Sequence, residues 1–262
     1  MSFTTILATE VLKLRRSGIT WISFGVYAFM AGVAGLFMWI LKNPGLADTL
    51  GLLGTKAKFA FGDQAATWPA FLAFILQMAG IGGLIMSAVV VTYVFGREYA
   101  EGTAKNLLAL PPSRSHFVLA KLIISALWFL SLSVFLLISS LIAGASIGLG
   151  DLPGELLMST SLRILLITVL CMGCAPLVSW IAVSSHGYFG PLGYAIFTIM
   201  LALIFANTGW GPWIPWSIVG LYSGAAGPDT GLSLANYMLV ALAFFVGLGL
   251  TMHHEIYADN CQ

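Results

Sequence analysis

Charged positions divide this chain into long apolar stretches. Ile19 to Leu41 is 23 residues without an Asp, Glu, Lys or Arg; Trp68 to Gly96 is 29, and so is Leu122 to Gly150. Ile164 to Pro228 is 65 residues, room for two spans and a loop, and Thr230 to Met252 is 23. A helix needs roughly 20 apolar residues to cross a bilayer. These runs are too long for barrel strands, and lipid demands a backbone satisfied within its own segment. The pattern predicts an all-α polytopic membrane protein with six transmembrane helices, near 19–41, 70–95, 121–143, 163–185, 191–207 and 233–252.

Lys and Arg near the span ends set the expected orientation. Lys13, Arg15, Arg16, Arg97, Lys105, Arg114 and Lys121 collect on one side, against Lys42, Lys56, Lys58 and Arg163 on the other. The excess predicts both termini in the cytoplasm of a cell-membrane protein. The first apolar run is too long for a signal peptide and is read as a retained span. No internal repeat or linker interrupts the chain, so residues 1–262 are expected to form one transmembrane domain.

Composition removes other classes. Of 262 residues, 59% are hydrophobic and 8% charged, where soluble domains run at about 45–50% and about 25%. The formal net charge of +1 does not suit a nucleic-acid partner bound through phosphate neutralisation. Three cysteines cannot build a disulfide framework.

Two segments outside the spans hold much of the chemistry. In residues 1–18, Phe3, Leu7, Val11 and Leu14 share one helical face, with Thr5, Thr9, Lys13 and Arg16 on the other. This predicts an interfacial helix with its basic end near lipid phosphates; an ordinary solvated start to the first span is the alternative. Residues 96–116 hold Arg97, Glu98, Glu101, Lys105 and Arg114. Glu101 and Lys105 stand at i, i+4 in the favourable order. Leu107, Leu108 and Leu110 form an apolar tip, Pro111 and Pro112 stop the helix, and Ser113 can cap the next. Such a short cytoplasmic helix suits a groove on a partner; a solvated turn is the plainer reading.

The stretch from Arg97 to Lys121 resembles the coupling-helix region of ABC transporter permeases of the type-2 exporter class. The shared pattern here is Glu98, Glu101, Gly102, Thr103, Leu107, Leu108, Pro111, Arg114 and Lys121. The opening segment resembles that family's N-terminal helix, with Glu10, Lys13, Arg15 and Arg16 in place. Within the family the likeness is closest to permeases for bacitracin or lantibiotic export and self-protection. The resemblance implies two permease subunits, a second copy or a paralogue, each docked on a cytosolic ATPase that carries ATP and Mg. This chain has no G-x-x-x-x-G-K-[ST] phosphate loop, so hydrolysis is expected on a separate chain and no cofactor on this one.

Other groups are weighed against plainer roles. Cys171 and Cys174 share a face in an apolar span, where packing is favoured over a metal or redox pair. His253, His254 and Glu255 do not make H-E-x-x-H and are read as a helix-end cap, and His186 as a solvated loop residue. Between spans five and six, Trp210, Pro212, Trp213, Pro215 and Trp216 predict an irregular aromatic segment at the outer interface. The family resemblance implies more for residues 207–232: a re-entrant hairpin that closes the outer end of the pathway. Gly80, Gly82 and Gly83 favour close helix packing, while Pro176 and Pro191 can break or kink their spans. No Asp, Glu, Lys or Arg falls near the middle of a span. That weighs against an ion-coupled secondary transporter or channel, the alternative function. The apolar pathway suits amphipathic or hydrophobic cargo.

Overall fold

A computed structural model describes residues 3–43, 66–102, 114–225, 227 and 231–257. Its helices are α1 (Phe3–Arg15), α2 (Gly18–Lys42), α3 (Trp68–Ala100), α4 (Arg114–Ile147), α5 (Gly154–Ser184), α6 (Phe189–Ala206), α7 (Pro215–Tyr222) and α8 (Leu234–Tyr257), with a 3-10 turn at Gly211–Trp213. Six of them, α2 to α6 and α8, are long and apolar enough to span a membrane. Among the described residues there is no strand. The chain is an all-α, multi-pass membrane protein.

Several helices outrun the spans expected from charge. Helix α3 has 33 residues and α4 has 34. At 1.5 Å per residue each is about 50 Å long, while the hydrocarbon layer is about 30 Å thick. A charged residue marks where lipid ends, not where a helix ends. Helix α5 begins at Gly154, behind Pro153, and carries Arg163 on an exposed face.

The helix ends follow local rules. Ser17 stands between α1 and α2 with extended φ and ψ of −86° and 132°, and its Oγ accepts from the Ile19 amide. Helix α3 starts at Trp68 with Pro69 in its first turn, where a missing N–H is harmless. Gly102 (φ 68°) and Gly148 (φ 70°) take up the left-handed conformation just past α3 and α4, which a side chain disfavours.

Helix α3 is central: 61% of its most apolar stretch lies inside protein, against 22% for α6. Its three glycines each admit a different neighbour. Gly80 meets Ser223 beyond α7, Gly82 meets the Met30 methyl on α2, and Gly83 meets Cys171 Sγ on α5. Cys171 and Cys174 are both buried. Pro191 falls in the first turn of α6 and kinks nothing, whereas Pro176 lies inside α5. There α8 comes closest. A Cβ on Gly247 would stand 2.5 Å from the Leu177 nitrogen and 2.6 Å from the Pro176 carbonyl carbon. The Pro176 carbonyl accepts from Ser179 (2.7 Å) and Thr251 (3.2 Å), whose hydroxyls are 2.9 Å apart. Such closure matters where no water can serve a polar group.

The ends of the bundle are also tied. Lys42 Nζ donates to the carbonyls of Ile147 (2.8 Å) and Gly148 (2.6 Å), and Trp68 Nε1 to that of Gly150 (2.8 Å). These bonds join the ends of α2 and α4 to the start of α3. The opposite end gathers α1 and the last turns of α3, α5 and α8.

Substituting Gly247→Val puts a side chain against the α5 backbone, which cannot move aside. Thermal unfolding in detergent is expected to show a loss in the overpacking range of about 1–3 kcal/mol or more. Gly249→Ala, which meets open space, is expected to leave the melting temperature unchanged.

Candidate coupling site

Glu98 is the residue around which the charged end is organised. It sits near the end of α3 and is 6% exposed. Its Oε2 accepts from Lys121 Nζ of α4 at 2.5 Å, and its Oε1 from Lys13 Nζ of α1 at 2.9 Å. Lys13 also donates to Glu10 Oε1 at 2.6 Å. Lys121, 3% exposed, places its ammonium 5.2 Å from the centre of the Phe95 ring. Two carboxylates and two ammoniums thus form a neutral quartet across three helices. An uncompensated buried charge costs several kcal/mol, so each member fixes the positions of the others.

This quartet shows which side of α1 meets the protein. The expected apolar face held Phe3, Leu7, Val11 and Leu14. In the structure Ile6 and Glu10 are buried and Lys13 is half-buried, while Val11 and Leu12 are 40% and 48% exposed. The stripe that meets the protein carries charge, because Glu98 and Lys121 supply its counterparts. Phe3 contributes a ring contact to His116 of α4, with centres 5.9 Å apart. Arg15 and Arg16 are exposed. Burial works against the Lys13 ammonium, but Glu98 and then Glu10 outweigh it and hold its pKa above 10.5. Its contribution is therefore complete below that value and fades only as pH rises through the still higher folded value.

A second, more exposed layer surrounds the quartet. Arg97 Nε donates to Glu101 Oε1 at 2.8 Å. Glu101 was expected to pair with Lys105, which lies outside the described residues, as do Thr103, Leu107, Leu108 and Pro111. Gly102 follows Glu101 with φ 68° and ends α3. Arg114 opens α4, and its Nη1 donates to the carbonyls of Glu255 (2.9 Å) and Ile256 (3.2 Å). A guanidinium therefore caps the end of α8, where cations oppose the helix dipole. The neighbouring histidines do not supply these two bonds. Glu255 is itself buried and accepts from the Tyr99 hydroxyl at 3.1 Å. His186, exposed and with φ 52°, stacks edge-on against Tyr99 and His254. At Gly96 the α5–α6 turn approaches α3 so closely that a Cβ would stand 3.1 Å from the Gly187 carbonyl.

At the opposite end, Trp210 and Trp213 are 70% and 61% exposed. Pro212 lies in the 3-10 turn and Pro215 opens α7, so these prolines start short helices. The Pro212 carbonyl accepts from Asn236 at 2.7 Å, and Trp216 meets Tyr194 edge-on. Ser217 Oγ donates to the Ala202 carbonyl of α6 at 3.0 Å. Just past α7, Ser223 meets α3 at Gly80, twelve residues in from Trp68, about 18 Å along the helix.

The sequence singled out Glu10, Lys13, Glu98 and Arg114 separately, and the structure brings the first three together. Lys121 was legible as part of the motif but not as the partner of Glu98. Tyr99 and Glu255 were not seen as site residues. A buried acid at the edge of an apolar run was the available signal, since it requires a cation nearby.

The described residues thus form a bundle of six helices able to span a membrane, with a charge cluster joining three helices at one end. The chain belongs to the ABC-2 family of transporter proteins, whose family model matches residues 6–202. It is also 25% identical over 169 residues to the bacitracin transport permease protein BCRB of Bacillus licheniformis, spanning 64% of this chain and 80% of that protein. The chain is therefore a transporter permease, not itself an enzyme.

Glu98→Gln leaves Lys121 buried without a full counter-charge. Thermal unfolding in detergent is expected to register a loss of about 3–5 kcal/mol, the range for breaking one side of a buried pair. The double substitution Glu98→Leu with Lys121→Met removes both charges and is expected to recover part of that loss. A double variant no more stable than Glu98→Gln would contradict the pairing.

Proposed function

We propose that this permease is the membrane subunit of an ATP-driven exporter, powered by a separate cytosolic ATPase that carries ATP and Mg. The observation that carries this reading is the Glu98 quartet. It lies at the root of residues 96–116, the proposed coupling helix, and grips α1 and α4. Force applied to that segment would reach α3 through Glu98, α4 through Lys121 and Arg114, and α8 through the Arg114 cap. Glu101, Gly102, Thr103, Leu107, Leu108 and Pro111 would form the surface offered to the ATPase. Both termini would lie in the cytoplasm, with Arg15 and Arg16 of α1 against lipid headgroups. A second permease copy or a paralogue would complete the transporter.

The cargo is an amphipathic or hydrophobic molecule such as a peptide antibiotic. A charge-poor pathway supports this, as does the likeness to a permease whose name specifies bacitracin. The outer segment, residues 207–232 with Trp210, Pro212, Trp213, Pro215 and Trp216, would act as a re-entrant gate. Its prolines start short helices, and its exposed indoles suit the membrane interface.

Leu108→Asp is expected to reduce ATPase co-purification at least tenfold, about 1.4 kcal/mol of docking energy, with membrane insertion intact. Unchanged co-purification and unchanged transport would remove the coupling assignment. The purified permease alone is expected to hydrolyse no ATP above background. Flux driven in vesicles by an ion gradient without ATP would favour the ion-coupled alternative.

A further inference from the structure

Where α8 ends, it meets the α5–α6 turn and the last turn of α3 through aromatic rings. His254 of α8 and His186 of the turn stand edge-on with ring centres 6.3 Å apart, and His186 stands edge-on to Tyr99 of α3 at 5.1 Å. His186 takes the left-handed conformation (φ 52°), which a side chain disfavours. Its amide reaches the Val183 carbonyl at 3.4 Å. The turn leans on these rings and on α3 at Gly96, where Gly187 and Tyr188 approach.

His254 carries an unused polar atom. Its Nδ1 is buried and has no hydrogen-bond partner among the described residues. A neutral imidazole has one donor and one acceptor, whereas an imidazolium has two donors. A bare acceptor is tolerated here; a proton on Nδ1 would be a shielded donor with nothing to receive it. The surroundings do not compensate that charge. A cation is favoured at a helix C-terminus by its free carbonyls, but Arg114 of α4 already takes those of Glu255 and Ile256. Glu255 follows His254 directly, and adjacent helical positions do not face each other. Its Oε1 accepts from Tyr99 instead. Glu98 of α3 is bound to Lys13 and Lys121. His253 is exposed and pairs with Tyr257. The turn presents His186 and Tyr188 and no carboxylate, so the ring facing His254 is one that can itself become a cation.

We propose that His254 and His186 form a proton-released clasp: a proton on His254 parts α8 from the α5–α6 turn and loosens the end of α3 that the turn supports. The clasp is closed above the ordinary histidine range, about pH 6.5, and opens as pH falls through it, because the closed state disfavours the charged form. His254 lies two residues past the span expected at 233–252, and His186 is exposed, so protons reach the pair from water. The supported end of α3 carries Glu98, which makes the clasp a regulator of the root of residues 96–116. It rests on contacts within this chain and stands apart from the ATPase and cargo assignments.

The test is amide exchange of the full chain in nanodiscs at about pH 8 and about pH 5.5, either side of the histidine range, with each rate divided by the intrinsic rate at that pH. Protection of the turn amides of Ser185, His186 and Leu192 is expected to fall about tenfold on acidification, or about 1.4 kcal/mol. The outer turn at Thr208 and Gly211, which holds no histidine, is expected to keep its protection. His254→Phe retains an aromatic ring and takes no proton, and is expected to hold the turn protected at both pH values. His253→Phe is expected to behave as the wild type does. Should His254→Phe fail to fold, His186→Asn suits the left-handed conformation and lacks the ring. It is expected to be poorly protected already at the higher pH, with no further fall. Protection independent of pH in the wild-type chain, an undiminished fall in His254→Phe, or a fall in His186→Asn as large as the wild type's overturns the proposal. So does loss of the fall in His253→Phe, which assigns the effect to that residue, or an equal fall at the outer turn, which assigns it to the whole bundle.

Discussion

A carboxylate shielded from water is tolerated only beside a compensating cation, and Glu98 organises one end of this permease for that reason. Hydrophobic burial cannot orient helices in a membrane, because lipid tails are as apolar as the helix faces. Direction has to come from close packing and from polar groups that need a specific partner. Here Glu98 supplies the need, and Lys13 and Lys121 meet it from two other helices. Helix α1 consequently lies against α4 with a charged stripe inward, which its own apolar pattern would not choose.

Away from that end, small residues take over. Gly80, Gly82 and Gly83 let three different neighbours reach α3, and Gly247 lets α8 touch the backbone of α5 at Pro176. Hydroxyls close these contacts without leaving a polar atom to lipid, as Ser179 and Thr251 do. The bundle is thus pinned by charge at one end and by close backbone approach through its middle.

The two ends differ in chemistry for a physical reason. The Glu98 end gathers acids, bases and histidines that fix geometry by pairing. The Trp210 end uses indoles, prolines and carbonyl acceptors. Its short helix α7 buries Ile218, Val219 and Leu221 and bonds Ser217 to the Ala202 carbonyl, while Asn236 holds the 3-10 turn at Pro212.

Much was legible from the sequence alone. Uncharged runs located six spans, since crossing lipid demands length and apolarity and little else. The motif residues around Glu98 and Glu10 identified the family. Residue-level arrangement was not legible. The apolar pattern of α1 did not show that its Glu10 and Lys13 gather with Lys121 around Glu98. The start of α5 was missed because a charge ends a lipid-facing run without ending a helix. The pairing of Glu98 with Lys121 and Lys13, 23 and 85 residues away in the chain, belongs to tertiary structure. So does the capping of α8 by Arg114. Local sequence states that a charge must be compensated; only the folded arrangement decides which distant residue comes within reach to do it.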